Sequence, residues 1–135
     1  MKRAAAALVL DAYRLFWLGP LFLKQEGAVV ELAGAGECDG EPCDLLLARL
    51  RPGFGLAPED RVLAWVSRRD RRFLRICFSV EGLASRRGAV VEVDYRDYRD
   101  FAGLHLPTRL IERVKRPVPV PVREWWLTGV DCDRG

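Results

Sequence analysis

His105 is the one histidine among 135 residues, so acid–base chemistry near neutral pH or an imidazole metal site would have to begin there. Along an alternating strand it falls on the polar side, with Arg109 and Arg113, and the side chains within reach are Asp or Arg rather than a second ligand. A surface histidine is the expectation. The run Asp94-Tyr95-Arg96-Asp97-Tyr98-Arg99-Asp100 brings carboxylates together, but the interleaved arginines neutralise them. A solvated cross-strand charge ladder is expected there rather than an acid/base dyad.

Arg68, Arg69, Arg71 and Arg72 form the densest basic cluster, at a hairpin tip where phosphates or anionic lipid heads could be touched. The cluster lacks the aromatic platform that single-stranded nucleic acid requires, and it reads as a solvated turn. Cys38 and Cys43 flank a Gly/Pro/Asp-rich turn that a hairpin would close, so they read as a loop disulfide or as free thiols. No second Cys/His pair stands at ligand spacing, and no metal is expected. Gly34-Ala35-Gly36 and Gly53-Phe54-Gly55 are not completed into a phosphate loop and read as turns. No nucleophile elbow and no Cys/His pair with an orienting third residue appears either. No catalytic residue and no cofactor is assigned, and the protein is expected not to be an enzyme.

The elements that would position these residues are mostly strands. Ala4–Leu18 is rich in Ala and Leu, puts Leu8, Ala12, Leu15 and Phe16 at helical spacing, and is stopped by Gly19-Pro20, which predicts one amphipathic helix. From Ala28 to Asp131 the pattern is a succession of strands. Ala28–Ala33 is followed by Asp44–Arg51, a Pro/Gly loop, and then a hairpin of Arg61–Ser67 and Arg72–Glu81. In that hairpin Leu74, Ile76 and Phe78 share a face, opposite Arg75 and Cys77. The next hairpin turns over Arg99–Gly103. Val91, Val93 and Tyr95 form its buried side and Glu92, Asp94 and Arg96 its wet side, with Leu104 and Leu106 continuing the apolar row on the return.

Pro117 to Val122 suits an edge strand whose prolines point their missing N–H groups outward. Arg123–Asp131 follows as the last strand. The fold class is mainly β: a single domain, 1–135, built as a curved antiparallel meander of about seven strands, an open half-barrel with one N-terminal helix.

A chain of this length buries roughly 68% of its unfolded surface, so a core needs no disulfides. Lys and Arg number 22 against 19 Asp and Glu, a net charge of +3, too small a surplus to indicate nucleic acid or a membrane surface. Arg outnumbers Lys 19 to 3 but is spread along the chain, which reads as coding bias rather than a phosphate-binding patch. Met1-Lys2-Arg3 and Ala4–Leu10 imitate the start of an export signal; the imitation ends at Asp11, with no small-residue cleavage site. No stretch reaches the ~20 apolar residues of a membrane span.

Val93 to Glu112, VDYRDYRDFAGLHLPTRLIE, resembles the strand, turn, Gly-Leu-x-Leu-Pro, strand signature of the LolA/LolB-like lipoprotein-carrier superfamily. Gly103-Leu104-His105-Leu106-Pro107 carries the core of that likeness. Asp11–Trp17, Leu18–Leu23 and the Leu46–Ala57 segment resemble uncharacterised bacterial relatives of the same superfamily. The resemblance implies an unclosed barrel capped by helices over an apolar cavity for acyl chains, in periplasmic, non-enzymatic proteins.

Relatives carry a signal peptide and several strands before the region matching Asp11. A truncated reading, or a second copy supplying the missing half, is therefore expected. On this basis Leu74, Ile76, Phe78, Val91, Val93, Tyr95, Leu104 and Leu106 are the expected floor of a groove for a lipid or lipoprotein acyl chain, with Trp17 and Trp65 as lids. The alternative is a homodimer formed through the same apolar face, without ligand.

Overall fold

A computed structural model describes residues 28–51, 59–80, 89–116 and 120–129. They form seven strands, β1 (Ala28–Cys38), β2 (Glu41–Leu50), β3 (Asp60–Ser67), β4 (Phe73–Val80), β5 (Ala89–Phe101), β6 (Leu104–Arg116) and β7 (Val120–Trp126). Each pairs antiparallel with the next in chain order. β1 and β7 end the sheet at opposite edges and do not pair with each other, so the sheet is open, and there is no helix among the described residues. The fold is the mainly β, unclosed meander expected from the sequence. The expected helix 4–18, Trp17, the Gly53–Gly55 loop and Cys132 lie outside the described residues.

Two of the hairpins close on two-residue turns, Asp39-Gly40 and Ala102-Gly103, in which both residues have positive φ (50° and 83°; 50° and 88°). That backbone matches the right-handed twist of the flanking strands, and it explains why Gly stands second in each. β5 consequently stays paired with β6 as far as Phe101 opposite Leu104, leaving a two-residue turn where five residues, Arg99–Gly103, were expected. Likewise the first turn is at Asp39-Gly40, inside the turn expected between Cys38 and Cys43, and Gly34-Ala35-Gly36 is not a turn. Gly34 lies inside β1, where the register steps between Leu32 and Gly34 at a bulge. Its φ of 146° is one that side chains rarely adopt.

A second irregularity corrects the β4 pattern. Register passes from Trp65 opposite Arg75 to Val66 opposite Phe73, which leaves Leu74 without a cross-strand partner and moves Phe73 into the core. At the far edge, Val120–Trp126 is one strand, not two, with Pro121 opposite Arg113. This is the proline-bearing edge strand that the sequence suggests.

Alternation then sorts the sheet into two faces. Ala48, Val62, Phe78 and Val91 follow one another in cross-strand register on one face, as do Ala64, Ile76 and Val93, and Tyr95 with Leu110, and they belong to one buried cluster. On the other face Glu92 and Asp94 of β5 were expected to be wet. They are buried instead, Asp94 with 1% of its surface exposed. The reason is chemical: cations from the two neighbouring strands fold over the carboxylates.

The two ends of the apolar row should respond differently to truncation. Ile76 is fully buried whereas Leu104, at the β5–β6 tip, is half exposed. Ile76→Ala is expected to cost about 2–5 kcal/mol in urea unfolding and Leu104→Ala less than about 0.5 kcal/mol.

Candidate functional site

β5 sits between β4 and β6, so residues on its polar face meet side chains from both neighbours. Asp94 stands opposite Arg75 on β4 and Ile111 on β6. It receives Arg75 Nε at 2.6 Å and Arg113 Nη2 at 2.7 Å, with Arg96 Nη2 at 3.4 Å. Two residues earlier, Glu92 is approached by Arg113 Nη1 and Lys115 Nζ, both at 3.2 Å, and by Arg75 Nε at 3.4 Å. Arg75 also lies 5.9 Å over the Trp65 ring. The hydrogen bond that Arg75 donates to Asp94 pushes its guanidinium further above its ordinary range, against the opposing effect of burial.

The ladder ends in a pocket that the sequence did not reveal. There the β1–β2 turn, the β3–β4 turn and the middle of β5 converge on a cavity of about 240 Å³, lined by Cys38, Asp39, Glu41, Arg72, Leu74, Tyr95, Arg96, Asp97 and Tyr98. Asp97 makes the bend with φ 54°, and its carbonyl accepts a hydrogen bond from the Thr108 hydroxyl at 2.6 Å. Charges around the cavity are paired: Arg96 with Asp39 at 2.7 Å, Arg72 with Glu41 at 3.3 Å and with Asp70 at 2.6 Å. Tyr98 donates to the Phe73 carbonyl at 2.5 Å and lies under Arg72. Burial pushes the Tyr98 phenol and the Cys38 and Cys43 thiols upward, which keeps them protonated and makes the thiols poor nucleophiles. The cavity suits a small polar molecule and is too charged for an acyl chain.

The arginine-rich turn is a docking element rather than a free basic patch. Arg68 bonds Asp44 at 2.9 Å and its N–H reaches the Pro42 carbonyl at 3.1 Å; Arg69 approaches Glu41 at 3.5 Å. Ser67 donates to Glu41 at 2.6 Å. That hydrogen bond, with Arg72 and Arg69, holds the Glu41 carboxyl below its usual value. Cys38 and Cys43 are free thiols. Cys38 is opposite Glu41 and Cys43 opposite Gly36, a diagonal placement in which the side chains do not face each other directly. His105 is exposed, 2.9 Å from Asp100 and stacked on Tyr98 at 5.2 Å.

The expected groove residues separate into three groups. Ile76, Phe78, Val91, Val93 and Tyr95 come together in the buried core. Trp65 lies on the ladder face, in register with Arg75, and so is not a lid over Ile76. Leu74 lines the polar cavity, and Leu104 and Leu106 sit at the β5–β6 tip, away from the floor. Among the described residues no group of His, Cys, Asp and Glu is arranged to hold a metal ion.

An open antiparallel sheet with one apolar and one ion-paired face defines the class of architecture. Among solved structures, a DUF1329 family protein from Desulfovibrio piger matches with a TM-score of 0.52 and 15% identity, over 78% of this chain. The match spans 44% of that protein's length, and at such identity it shows the fold alone. No family model matches the sequence, and no curated protein does.

Two predictions follow the charges. Asp94→Asn leaves Arg75 and Arg113 facing a neutral group; about 3 kcal/mol of stability should be lost, at the low end for a buried pair because Arg113 reaches water. A loss below about 0.5 kcal/mol in urea unfolding would contradict this. For Glu41, a depressed carboxylate stabilises the fold above its unfolded value of 4.5 and ceases to do so as pH falls through its folded value. Ser67→Ala should therefore cost about 1 kcal/mol at pH 7, and the gap from the parent protein should shrink as pH drops below 4.5.

Proposed function

We propose that the protein is a non-enzymatic binding module that holds a lipid or lipoprotein acyl chain against the apolar face of its open sheet, in the periplasm. The observation that carries the reading is the sheet itself. It is unclosed, and one face is mainly apolar from Leu46 and Ala48 on β2 to Leu110 and Val114 on β6, with Glu112, opposite Val93, as a polar residue between the last two. The Gly103–Pro107 signature and the likeness in fold to a DUF1329 family protein support the same class.

In this reading the floor is Ile76, Phe78, Val91, Val93 and Tyr95. These residues have almost no free surface, so the acyl chain reaches them by displacing what covers them. The rim residues Leu46, Val66, Val114 and Trp125, which are only partly buried, mark the way in. Each CH₂ transferred from water contributes about 0.8 kcal/mol, enough over a fatty-acid chain to offset the displaced contacts. Leu74, Leu104, Leu106 and Trp65 are not part of this floor.

Organic extraction of the purified protein, read by mass spectrometry, tests the proposal together with titration by the fluorescent fatty acid cis-parinaric acid. The expected result is co-purified acyl lipid and saturable probe uptake, weakened about tenfold (about 1.4 kcal/mol) by Leu46→Gln at the rim. Folded protein that yields no acyl lipid and takes up no probe would refute it.

A further inference from the structure

The two edges of the sheet are built differently. β7 carries Pro121, which has no N–H to offer, and the exposed charges Arg123 and Glu124. Those are the usual devices that stop a sheet edge from adding another strand. β1 has neither Lys nor Pro across its 11 residues, and none of the described strands lies on its outer side. Its side chains are also left in water on both faces. Val30 and Leu32, on the side of Ala48 and Leu46, are 42% and 68% exposed, and Val29, on the side of Arg49, is 64% exposed. The stretch Ala28–Leu32, apolar apart from Glu31, is an edge of the kind that templates strand addition.

We propose that β1 pairs with β1 of a second copy of this chain, antiparallel about a two-fold axis, joining two open sheets into one. The proposal concerns the sheet edge and not the apolar face of the acyl-chain reading, and it goes beyond that reading.

The sequence of β1 is compatible with itself. With Val30 on the two-fold, Val29 faces Glu31 of the partner subunit and Ala28 faces Leu32 of the partner subunit, so no like charges stand opposite each other. Glu31 keeps its own Arg49, at 3.8 Å, as counter-charge. The flat stretch that pairs ends where the bulge at Leu32/Gly34 turns the strand aside, which sets the register. Head-to-tail growth from β1 onto β7 is blocked by Pro121, so the contact closes as a dimer instead of running on as a fibre.

Native mass spectrometry and sedimentation velocity of the full chain at tens of micromolar should show a dimer. Val30→Lys sets two ammonium groups against each other on the axis and should give the mass of one chain. Val30→Thr, which keeps the β-branched shape, should remain dimeric. Urea unfolding checks that Val30→Lys is still folded, and for an unfolded variant Leu32→Lys replaces it. Amide exchange supplies a second reading: β1 should be protected in the parent protein and exchange fast in Val30→Lys, with β4 unchanged. A monomer at every concentration, a dimer that survives both lysine variants, or open-ended polymers would each overturn the proposal. Acyl-lipid extraction is scored separately, so failure of the dimer and failure of the binding reading are told apart.

Discussion

Asp94 is the point on which the sheet is fixed. A carboxylate with almost no exposure is tolerable only when its charge is met at close range, and here guanidiniums arrive from the strand on each side as well as from its own. The consequence is one of register. A slip of one residue in β5 would turn Asp94 toward Ile76 and Val93 toward Arg75, which costs on both faces at once. The ion ladder therefore helps to decide which residues of β4, β5 and β6 form the apolar face, besides covering the opposite one. Glu92, with Arg113 and Lys115, repeats the device one step along the strand.

That division of labour shapes what each surface can do. On the ladder face the carboxylates of Glu92 and Asp94 are met by cations, with Leu63, Trp65 and Cys77 in the neighbouring rows, and the polar cavity beyond it includes the pairs Arg96–Asp39 and Arg72–Glu41. Neither presents an activated nucleophile, because the thiols of Cys38 and Cys43 are raised by burial. The apolar face, broken on β6 by Glu112, belongs to a sheet that does not close. The unprotected apolar edge at β1 is a different kind of surface, suited to a strand rather than to an acyl chain.

Much of this was legible in the residues. Period-two alternation placed β2 to β6 to within a few positions, because hairpins with short turns leave little freedom in where a strand may begin, whereas β1 runs on to Cys38, five residues past its expected end, and β7 is one strand where two were expected. Val91, Val93 and Tyr95 were rightly expected on the buried side. Glu92 and Asp94 were misplaced because alternation reports polarity, and polarity equals exposure only when no long arginine side chains from neighbouring strands are there to cover the carboxylates. The bulges at Gly34 and Leu74 escaped for another reason: each depends on cross-strand register, which a local pattern does not contain. Trp65 was expected as a lid, but its alternation with Val62 and Ala64 in β3 puts it on the opposite face, in register with Arg75. The cavity beside Tyr98 joins residues 38 to 98, and only the meeting of two turns with the bend at Asp97 creates it.

For an acyl chain to bind, the face floored by Ile76 and Val93 has to open. Amide hydrogen exchange of delipidated protein, with and without palmitate, addresses it directly. The account predicts that palmitate changes the exchange of β4 and β5 amides around Ile76 and Val93 while those of the Asp39-Gly40 and Ala102-Gly103 turns stay as they were. Identical exchange across β4 and β5 at saturating palmitate would contradict it.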